Sequence, residues 1–191
     1  MLAASFCDEL SAMSQTAARP APLFLIFGLI ALATLARGLP YLIPELGNFT
    51  PVAAVALFAG CYLSDRRTAL LVPLVAMLIS DLLIGFHSLM PIVYGCMAAT
   101  AYFGAHLRNK VTPGRTLAFA LGSSLLFFVA TNVAVWAQGT MYPLNAAGFV
   151  QCFVMALPFW RNELVGTLLW TAVLFGGYAL LHQRSRAVAL A

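Results

Sequence analysis

Residues 70–86 read LLVPLVAMLISDLLIGF, an apolar run of helical length that contains one acidic residue, Asp81. Among the six acidic residues of the chain, Asp81 alone lies well inside a long apolar run. A carboxylate costs roughly 2.5–3.5 kcal/mol at the centre of a membrane helix and less near an interface. Because other groups must compensate for this cost, the run predicts a membrane helix that contributes Asp81 to a polar site.

The composition predicts an all-α, polytopic membrane protein with six transmembrane helices. Hydrophobic residues make up 62% of the 191 residues and charged residues 8%, and the mean hydropathy is +0.93. A soluble domain of this size could not bury so much apolar surface. The alternation typical of a membrane β-barrel is missing, which leaves helices as the spanning structure. Charged or turn residues bound six apolar segments, at about 22–38, 51–64, 68–86, 90–107, 116–138 and 163–182.

The second segment, at about 14 residues, is shorter than the roughly 20 that a membrane span needs. We therefore expect it to lie steeply, to sit in a thinned bilayer, or to begin inside the preceding loop. The three predicted parts of the chain are a cytoplasmic N-terminal tail at 1–20, a six-helix domain at 21–185 and a cytoplasmic C-terminal tail at 186–191.

The basic residues predict the orientation of this bundle. In a six-helix arrangement only Arg37 and Arg161 fall on one side, and the positive-inside rule makes the other side cytoplasmic. The residues on that other side are Arg19, Arg66, Arg67, Arg108, Lys110, Arg115, Arg184 and Arg186. Both termini are then cytoplasmic. The net charge of +4 follows from this asymmetry and does not indicate a nucleic-acid partner.

Polar and reactive side chains from three helices are predicted to share one level near the outer side. With a rise of 1.5 Å per residue, Asp81 lies roughly 8 Å below the outer rim of its helix. The fourth segment brings Tyr94 and Cys96 to that level, and the fifth brings Asn132 and Trp136. Each group could instead satisfy a backbone group or a neighbouring helix.

The outer loops add further candidates. Arg161, followed by Asn162, is the expected partner of Asp81 or of an anionic ligand group, unless it extends to lipid headgroups. His87 could titrate, bind a metal or cap a helix. The last outer loop, GTMYPLNAAGFVQCFVMALPFW at 139–160, contains the candidate Tyr142 and is too apolar for a solvated loop. We expect it to form a short helix that covers the bundle or dips into it.

Cys96 is the candidate metal ligand, because a thiolate at this level could bind a soft or borderline metal. A buried cysteine can equally be a small hydrophobic residue. Nucleotide-binding loops, zinc signatures and serine-hydrolase motifs are missing, so the chain has no ATPase motif of its own. One carboxylate and one cysteine without a suitably placed histidine make a poor catalytic set.

The sequence resembles the substrate-binding S components of energy-coupling factor (ECF) vitamin transporters over residues 20–185. This resemblance rests on the predicted architecture, a compact six-helix protein of about 20 kDa with both termini cytoplasmic. More specifically, the chain resembles a widespread group of bacterial membrane proteins near those S components in the stretches NFTPVAAVALFAG at 48–60, LISDLLIGFH at 78–87 and ALPFWRN at 156–162. The resemblance implies a multi-pass protein of the bacterial cytoplasmic (inner) membrane that binds a small vitamin from outside. It also implies transport by tilting of the whole protein, usually on a shared ATP-driven module.

The resemblance extends to the BtuM family of solitary cobalamin transporters, in which a cysteine ligates cobalt. It implies that Cys96 would bind the cobalt of cobalamin, Asp81 and Arg161 would make polar contacts, and Tyr94 or Tyr102 would supply a tyrosine. The Ala-x-x-x-Ala coupling motif expected in the first helix is missing, since Ala31 and Ala36 are five residues apart. This departure fits a solitary protein better than one that docks on an ATPase module.

The leading hypothesis is therefore a substrate-binding membrane protein for vitamin uptake, with cobalamin or a related corrinoid as substrate. The alternative is a membrane subunit or scaffold without transport activity, in which an Asp81–Arg161 pair holds the helices together. A third hypothesis, thiol chemistry by Cys96 on a bound corrinoid, would make the protein an enzyme.

Overall fold

The computed structural model describes residues 23–108 and 110–189. These residues form six α-helices and one short 3₁₀ helix, Pro44–Leu46, with no strand among them. The helices are α1 (Leu23–Leu42), α2 (Val52–Tyr62), α3 (Arg66–Ile84), α4 (Met90–Leu107), α5 (Pro113–Ala137) and α6 (Ala146–Ala189). The all-helical class is confirmed for this part of the chain, whereas the predicted tail at 1–20 lies outside it.

Four of the helices, α1, α3, α5 and α6, are long and apolar enough to cross a membrane. On α5 the exposed apolar side chains recur every four residues and form one stripe along the helix. The stripe consists of Leu117, Leu121, Leu125, Val129 and Val133. Such a face is suited to lipid and not to water, so the protein is described as a multi-pass membrane protein.

The short helix predicted within residues 139–160 is not a separate helix. From Ala146 onward its residues belong to α6, a continuous helix of 44 residues that includes Pro158. At 1.5 Å per residue α6 is about 66 Å long, roughly twice the apolar thickness of a bilayer. Its first half packs along α5, which gives its apolar side chains a partner. The expectation of a short covering helix was wrong because this packing favours one uninterrupted helix.

The α5–α6 pairing is antiparallel and rich in aromatic residues. The rings of Phe128 and Trp160 stack with centroids 4.6 Å apart, and Trp136 meets Phe149 edge-on at 5.3 Å. The second half of α6 packs instead on α2, where Phe175 meets Phe58 at 5.4 Å.

Helix α2 lies inside the bundle. Every residue from Val52 to Cys61 is buried. At 11 residues the helix is about 16 Å long, too short to cross a bilayer by itself. The protein around α2 shields its ends from lipid, which explains how a segment of this length is accommodated.

Two glycines allow α2 and α4 to touch. A Cβ atom on Gly60 would lie 1.9 Å from the carbonyl oxygen of Ala101, and one on Gly104 would lie 2.1 Å from the carbonyl oxygen of Leu57. Any side chain at either position would force the backbones apart. Gly60 and Gly104 therefore set the α2–α4 distance, as small residues do between membrane helices.

The connectivity gives the bundle two distinct ends. We call one of them the site end, where α1, α3 and α5 finish and α2, α4 and α6 begin. We call the opposite end the basic end, because it carries Arg66, Arg67, Arg108, Lys110 and Arg115. There Asp65 starts α3 by accepting a hydrogen bond from the backbone N–H of Thr68 at 2.8 Å. There Arg108 donates hydrogen bonds to the carbonyl oxygens of Gly60 and Ser64, at 3.1 and 3.2 Å. These bonds satisfy backbone groups where α2 ends.

Candidate functional site

A polar cluster lies at the site end of the bundle and consists of Arg37, Asp81 and Tyr94. We call it the paired cluster. The side chain of Asp81 is fully buried and forms an ion pair with the guanidinium group of Arg37 on α1. The hydroxyl group of Tyr94 donates a hydrogen bond to Asp81 Oδ2 at 2.8 Å, and Arg37 Nη1 lies 3.0 Å from Met77 Sδ. The carboxylate thus has a cation and a hydroxyl donor from two other helices. The prediction that Asp81 and Tyr94 share a polar site is correct in this respect.

The predicted partner of Asp81 was wrong. Arg161 is exposed, and Asp81 pairs with Arg37 instead. Helix α1 lies against α3, where the hydroxyl of Thr34 donates to the carbonyl oxygen of Ala76 at 3.3 Å. This packing carries Arg37 to the level of Asp81.

A sequence signal for Arg37 existed. Leu29 and Ala33, both buried, precede it at intervals of four residues, and such positions share one face of a helix. Arg37 is therefore on the face of α1 that meets the bundle. Sequence reasoning considered Arg37 only as an outer charge for orientation and so missed this role.

Glu163 is a second buried carboxylate, which was not predicted from the sequence as a site residue. Its exposed fraction is 8%. Ser124 Oγ donates a hydrogen bond to Glu163 Oε2, and Thr167 Oγ1 donates to Oε1 at 2.7 Å. Trp160 Nε1 donates to Ser124 Oγ at 3.0 Å. Among the side chains that the structure describes, Glu163 has no cationic partner, since the Arg37–Asp81 pair is the only ion pair there.

A signal for Glu163 was also present, because it is the only acidic residue that follows Asp81 in the chain. The sixth segment was predicted to start at 163, which placed the residue at a membrane boundary. The continuous α6 puts it well inside the helix instead.

Three adjoining cavities connect these polar groups, and Asn48 lines all of them. We refer to them together as the groove. The first, of about 250 Å³, lies between α4, α5 and α6. A smaller one of about 70 Å³ shares Val93, Phe127 and Glu163 with it. The third, of about 330 Å³, shares Arg37 with the small one. The groove therefore reaches from the paired cluster to Glu163.

The loop before α2 forms one wall of the groove. Asn48 has a φ of 64°, a left-handed conformation that asparagine adopts more readily than most residues. The side-chain amide of Asn162 donates to the carbonyl oxygens of Glu45 at 2.9 Å and Gly47 at 3.2 Å. Asn162 thus holds the loop against α6, so its role in this structure is to position the groove wall.

Two other predicted residues lie along α5. Asn132 lines the groove, and its Nδ2 donates to the carbonyl oxygen of Phe128 at 2.7 Å. Trp136 lies nearer the end of α5 and donates from Nε1 to the carbonyl oxygen of Pro143 at 3.1 Å. Trp136 therefore fixes the α5–α6 connection, whereas the side-chain oxygen Oδ1 of Asn132 lies 3.9 Å from Sγ of Cys152.

Three further predicted residues also lie away from the groove. Tyr102 is exposed and packs edge-on against His106, with ring centroids 4.6 Å apart, beside a separate cavity at the basic end. His87 is exposed in the α3–α4 connection, and Tyr142 is half-buried in the α5–α6 connection. None of the three is among the groove-lining residues. Tyr94, which contacts Asp81, is the tyrosine that the structure places in the cluster.

Cys96 is buried in the hydrophobic core, with 4% of its surface exposed. Its α4 neighbours Val93 and Met97 line the groove, but Cys96 does not. Within residues 23–108 and 110–189, no group of three or more histidine, cysteine or acidic residues could hold a metal ion. A role of Cys96 as a single cobalt ligand stays a prediction.

Comparison with known proteins gives one match. No curated protein and no solved structure matches the chain. The sequence profile of DUF6580, described as a family of unknown function, matches residues 18–189. This match covers both buried carboxylates and all six helices, so the chain belongs to the DUF6580 family.

Proposed function

We propose that the protein is a substrate-binding membrane protein for the uptake of a small organic molecule, similar in role to ECF S components. The observation that carries the proposal is the groove, which joins three cavities at one end of the bundle and contains Glu163, a buried carboxylate with no ion-pair partner among the described side chains. Ligand sites in membrane bundles combine an apolar wall with a few fixed polar groups in this way.

The proposed topology has six membrane crossings, with α2 as a short crossing enclosed by the other helices, and both termini in the cytoplasm. The groove then opens outward in a bacterial inner membrane. The basic end supports this orientation, because Arg66, Arg67, Arg108, Lys110 and Arg115 all lie there. Reporter fusions at the two termini test it: an active periplasmic reporter at either terminus would contradict the topology.

The substrate is proposed to be vitamin-sized, with cobalamin retained as one arm of the test. The individual cavities, at about 70–330 Å³, lie at or below the lower end of the range of 300–1,000 Å³ found for ligand pockets. This favours a substrate smaller than a corrinoid. Cobalt ligation would in addition need Cys96, which is buried in the core and is not among the groove-lining residues.

Native mass spectrometry of the purified protein in nanodiscs tests the function. We expect a retained small molecule whose occupancy falls in the variant Val93→Phe, because the larger ring fills the space shared by two cavities. Ile92→Phe is the matched control, since Ile92 is exposed on the same helix and does not line the groove. Equal retention in the two variants would contradict binding in the groove.

The same purified protein in nanodiscs tests whether the substrate is cobalamin. A visible absorption band that is lost in Cys96→Ala would identify a cobalt ligand, whereas a colourless protein with another retained molecule would exclude cobalamin. Copurification with an ATPase module would distinguish a coupled transporter from a solitary one.

A scaffold without transport activity is the second candidate, and one observation favours it. Arg37, Asp81 and Tyr94 contact one another, as expected for a group that only holds helices together. In this candidate the pair is Arg37–Asp81 and not Asp81–Arg161. It predicts that no small molecule is retained and that groove-filling variants are neutral in every assay.

A further inference from the structure

We infer that the groove binds a flat aromatic cation whose positive charge is held by Glu163. The inference rests on the proposed function, because it names the chemical class of the substrate for the same groove. It goes beyond that function in assigning the charge of the ligand and the residue that recognises it.

The charge balance of the groove favours a cationic ligand. Arg37 lines the small cavity together with Glu163, but its charge is balanced by the ion pair with Asp81. Glu163 lines two of the three cavities and has no cationic partner among the described side chains. A buried carboxylate is stable when it is paired or well hydrogen-bonded. A cationic ligand would supply the positive charge that balances Glu163, whereas Glu163 would repel an anionic ligand.

Hydrogen bonds hold the carboxylate of Glu163 in a fixed orientation. Trp160 Nε1 can only donate a hydrogen bond, so Ser124 Oγ accepts from it at 3.0 Å and its own proton is directed to Glu163. Thr167 donates to the other carboxylate oxygen. Each oxygen has a second acceptor position. The network fixes the carboxylate and leaves these positions for donors of a ligand.

The aromatic lining of the cavity beside Glu163 favours a flat ligand. Four aromatic residues line the cavity beside Glu163: Phe127, Phe128, Phe159 and Trp160. The rings of Phe128 and Trp160 stack on each other with centroids 4.6 Å apart, so a ligand ring would pack on the outside of this stack and not between the two rings. Aromatic faces attract cations and pack well on flat rings. A cavity of about 250 Å³ with this lining suits a ligand of one or two fused rings.

The test compares three probes of nearly equal size and shape: benzamidinium, neutral benzamide and anionic benzoate. Their affinities for the protein in nanodiscs are measured at neutral pH by isothermal titration calorimetry. We expect benzamidinium to bind about tenfold more tightly than benzamide, a difference typical of one buried charge-assisted contact, and benzoate to bind most weakly.

The variant Glu163→Gln should bring the affinity ratio of benzamidinium to benzamide close to one, because the amide keeps the size but not the charge. Glu45→Gln is the matched control. Glu45 is an exposed acidic residue at the same end of the bundle, and its side chain does not line the groove. Only its backbone carbonyl contacts Asn162, and the substitution keeps that contact. This control should keep the wild-type ratio.

The outcomes separate this inference from the proposed function. Equal affinities for the three probes in the wild-type protein, or an unchanged ratio in Glu163→Gln, would overturn the cation assignment and leave the groove as a binding site. A retained native ligand that is neutral or anionic would do the same. No binding of any probe and no retained molecule would overturn both proposals. The wild-type comparison needs no variant, so a failure of Glu163→Gln to fold does not block the test.

Discussion

The two ends of α4 contrast a close helix–helix contact with an open region, the groove. Near Gly104, α4 touches α2 so closely that a single Cβ atom would lie 2.1 Å from a backbone oxygen. About three turns away, Val93 lines two cavities of the groove. The difference shows what side chains do between membrane helices: glycine lets backbones meet, whereas bulky aromatic and polar residues hold them apart and leave space. Four predictions test this contrast, from the largest expected effect to the smallest.

The paired cluster should be the most sensitive part of the groove. Arg37→Gln leaves the buried carboxylate of Asp81 with Tyr94 alone, and removing one partner of a buried pair costs about 3–5 kcal/mol. Thermal unfolding in detergent would show this as a large fall in Tm. The double variant Arg37→Met/Asp81→Leu should recover most of the loss.

Arg161→Gln is the control for the pair, because Arg161 is exposed. We expect a change within about 0.5 kcal/mol, as for most surface substitutions. An equal loss of stability in Arg161→Gln and Arg37→Gln would contradict the pairing described above.

The close contact should not tolerate one added methyl group. Gly104→Ala forces α4 away from the backbone of Leu57, and overpacking of this kind costs about 1–3 kcal/mol or more. The matched control is Gly95→Ala on the same helix, where an added Cβ atom meets nothing within 4 Å. Tm should fall in the first variant and stay the same or rise in the second. Similar Tm values for both would mean that the glycine contact does not set the helix spacing.

The groove should tolerate a far larger addition. Val93→Phe places a ring in existing space, so we expect a stability change below about 1 kcal/mol despite several added carbon atoms. The measurement is again Tm, read beside ligand retention. A destabilisation as large as that of Gly104→Ala would show that the groove is closed in solution and would weaken the contrast between the two regions.

The smallest effect belongs to Asp65, which starts α3 at the basic end. Hydrogen bonds from the side chain and backbone N–H of Thr68 lower the pKa of this carboxyl group below its ordinary value. Its contribution to stability is therefore present above the unfolded-state pKa and is lost as the pH falls through the lower, folded-state pKa. Tm measured against pH in the acidic range should fall slightly less in Asp65→Asn than in the wild-type protein. Identical pH profiles would contradict this contribution.

Much of the helical framework could be predicted from hydropathy, since apolar runs in a membrane must satisfy their backbone groups internally. The level shared by Asp81 and Tyr94 also followed, because the helix rise converts residue number into depth. The partner of Asp81 did not follow. Depth places Arg37 and Arg161 at the same end, and only the packing of α1 on α3 distinguishes them. Glu163 was missed because the start of its helix was predicted 17 residues too late.

By itself, the sequence determined that this protein is helical, that it is suited to a membrane, and that a carboxylate near one end of an apolar helix needs compensation. Those properties depend on composition and on the local rise of a helix, which are readable along one chain. The tertiary structure decided which cation compensates Asp81, that Glu163 has no such partner in the described part of the chain, and that the space between the two carboxylates forms a groove. These outcomes depend on which helix faces meet, and that is set by contacts between residues far apart in sequence.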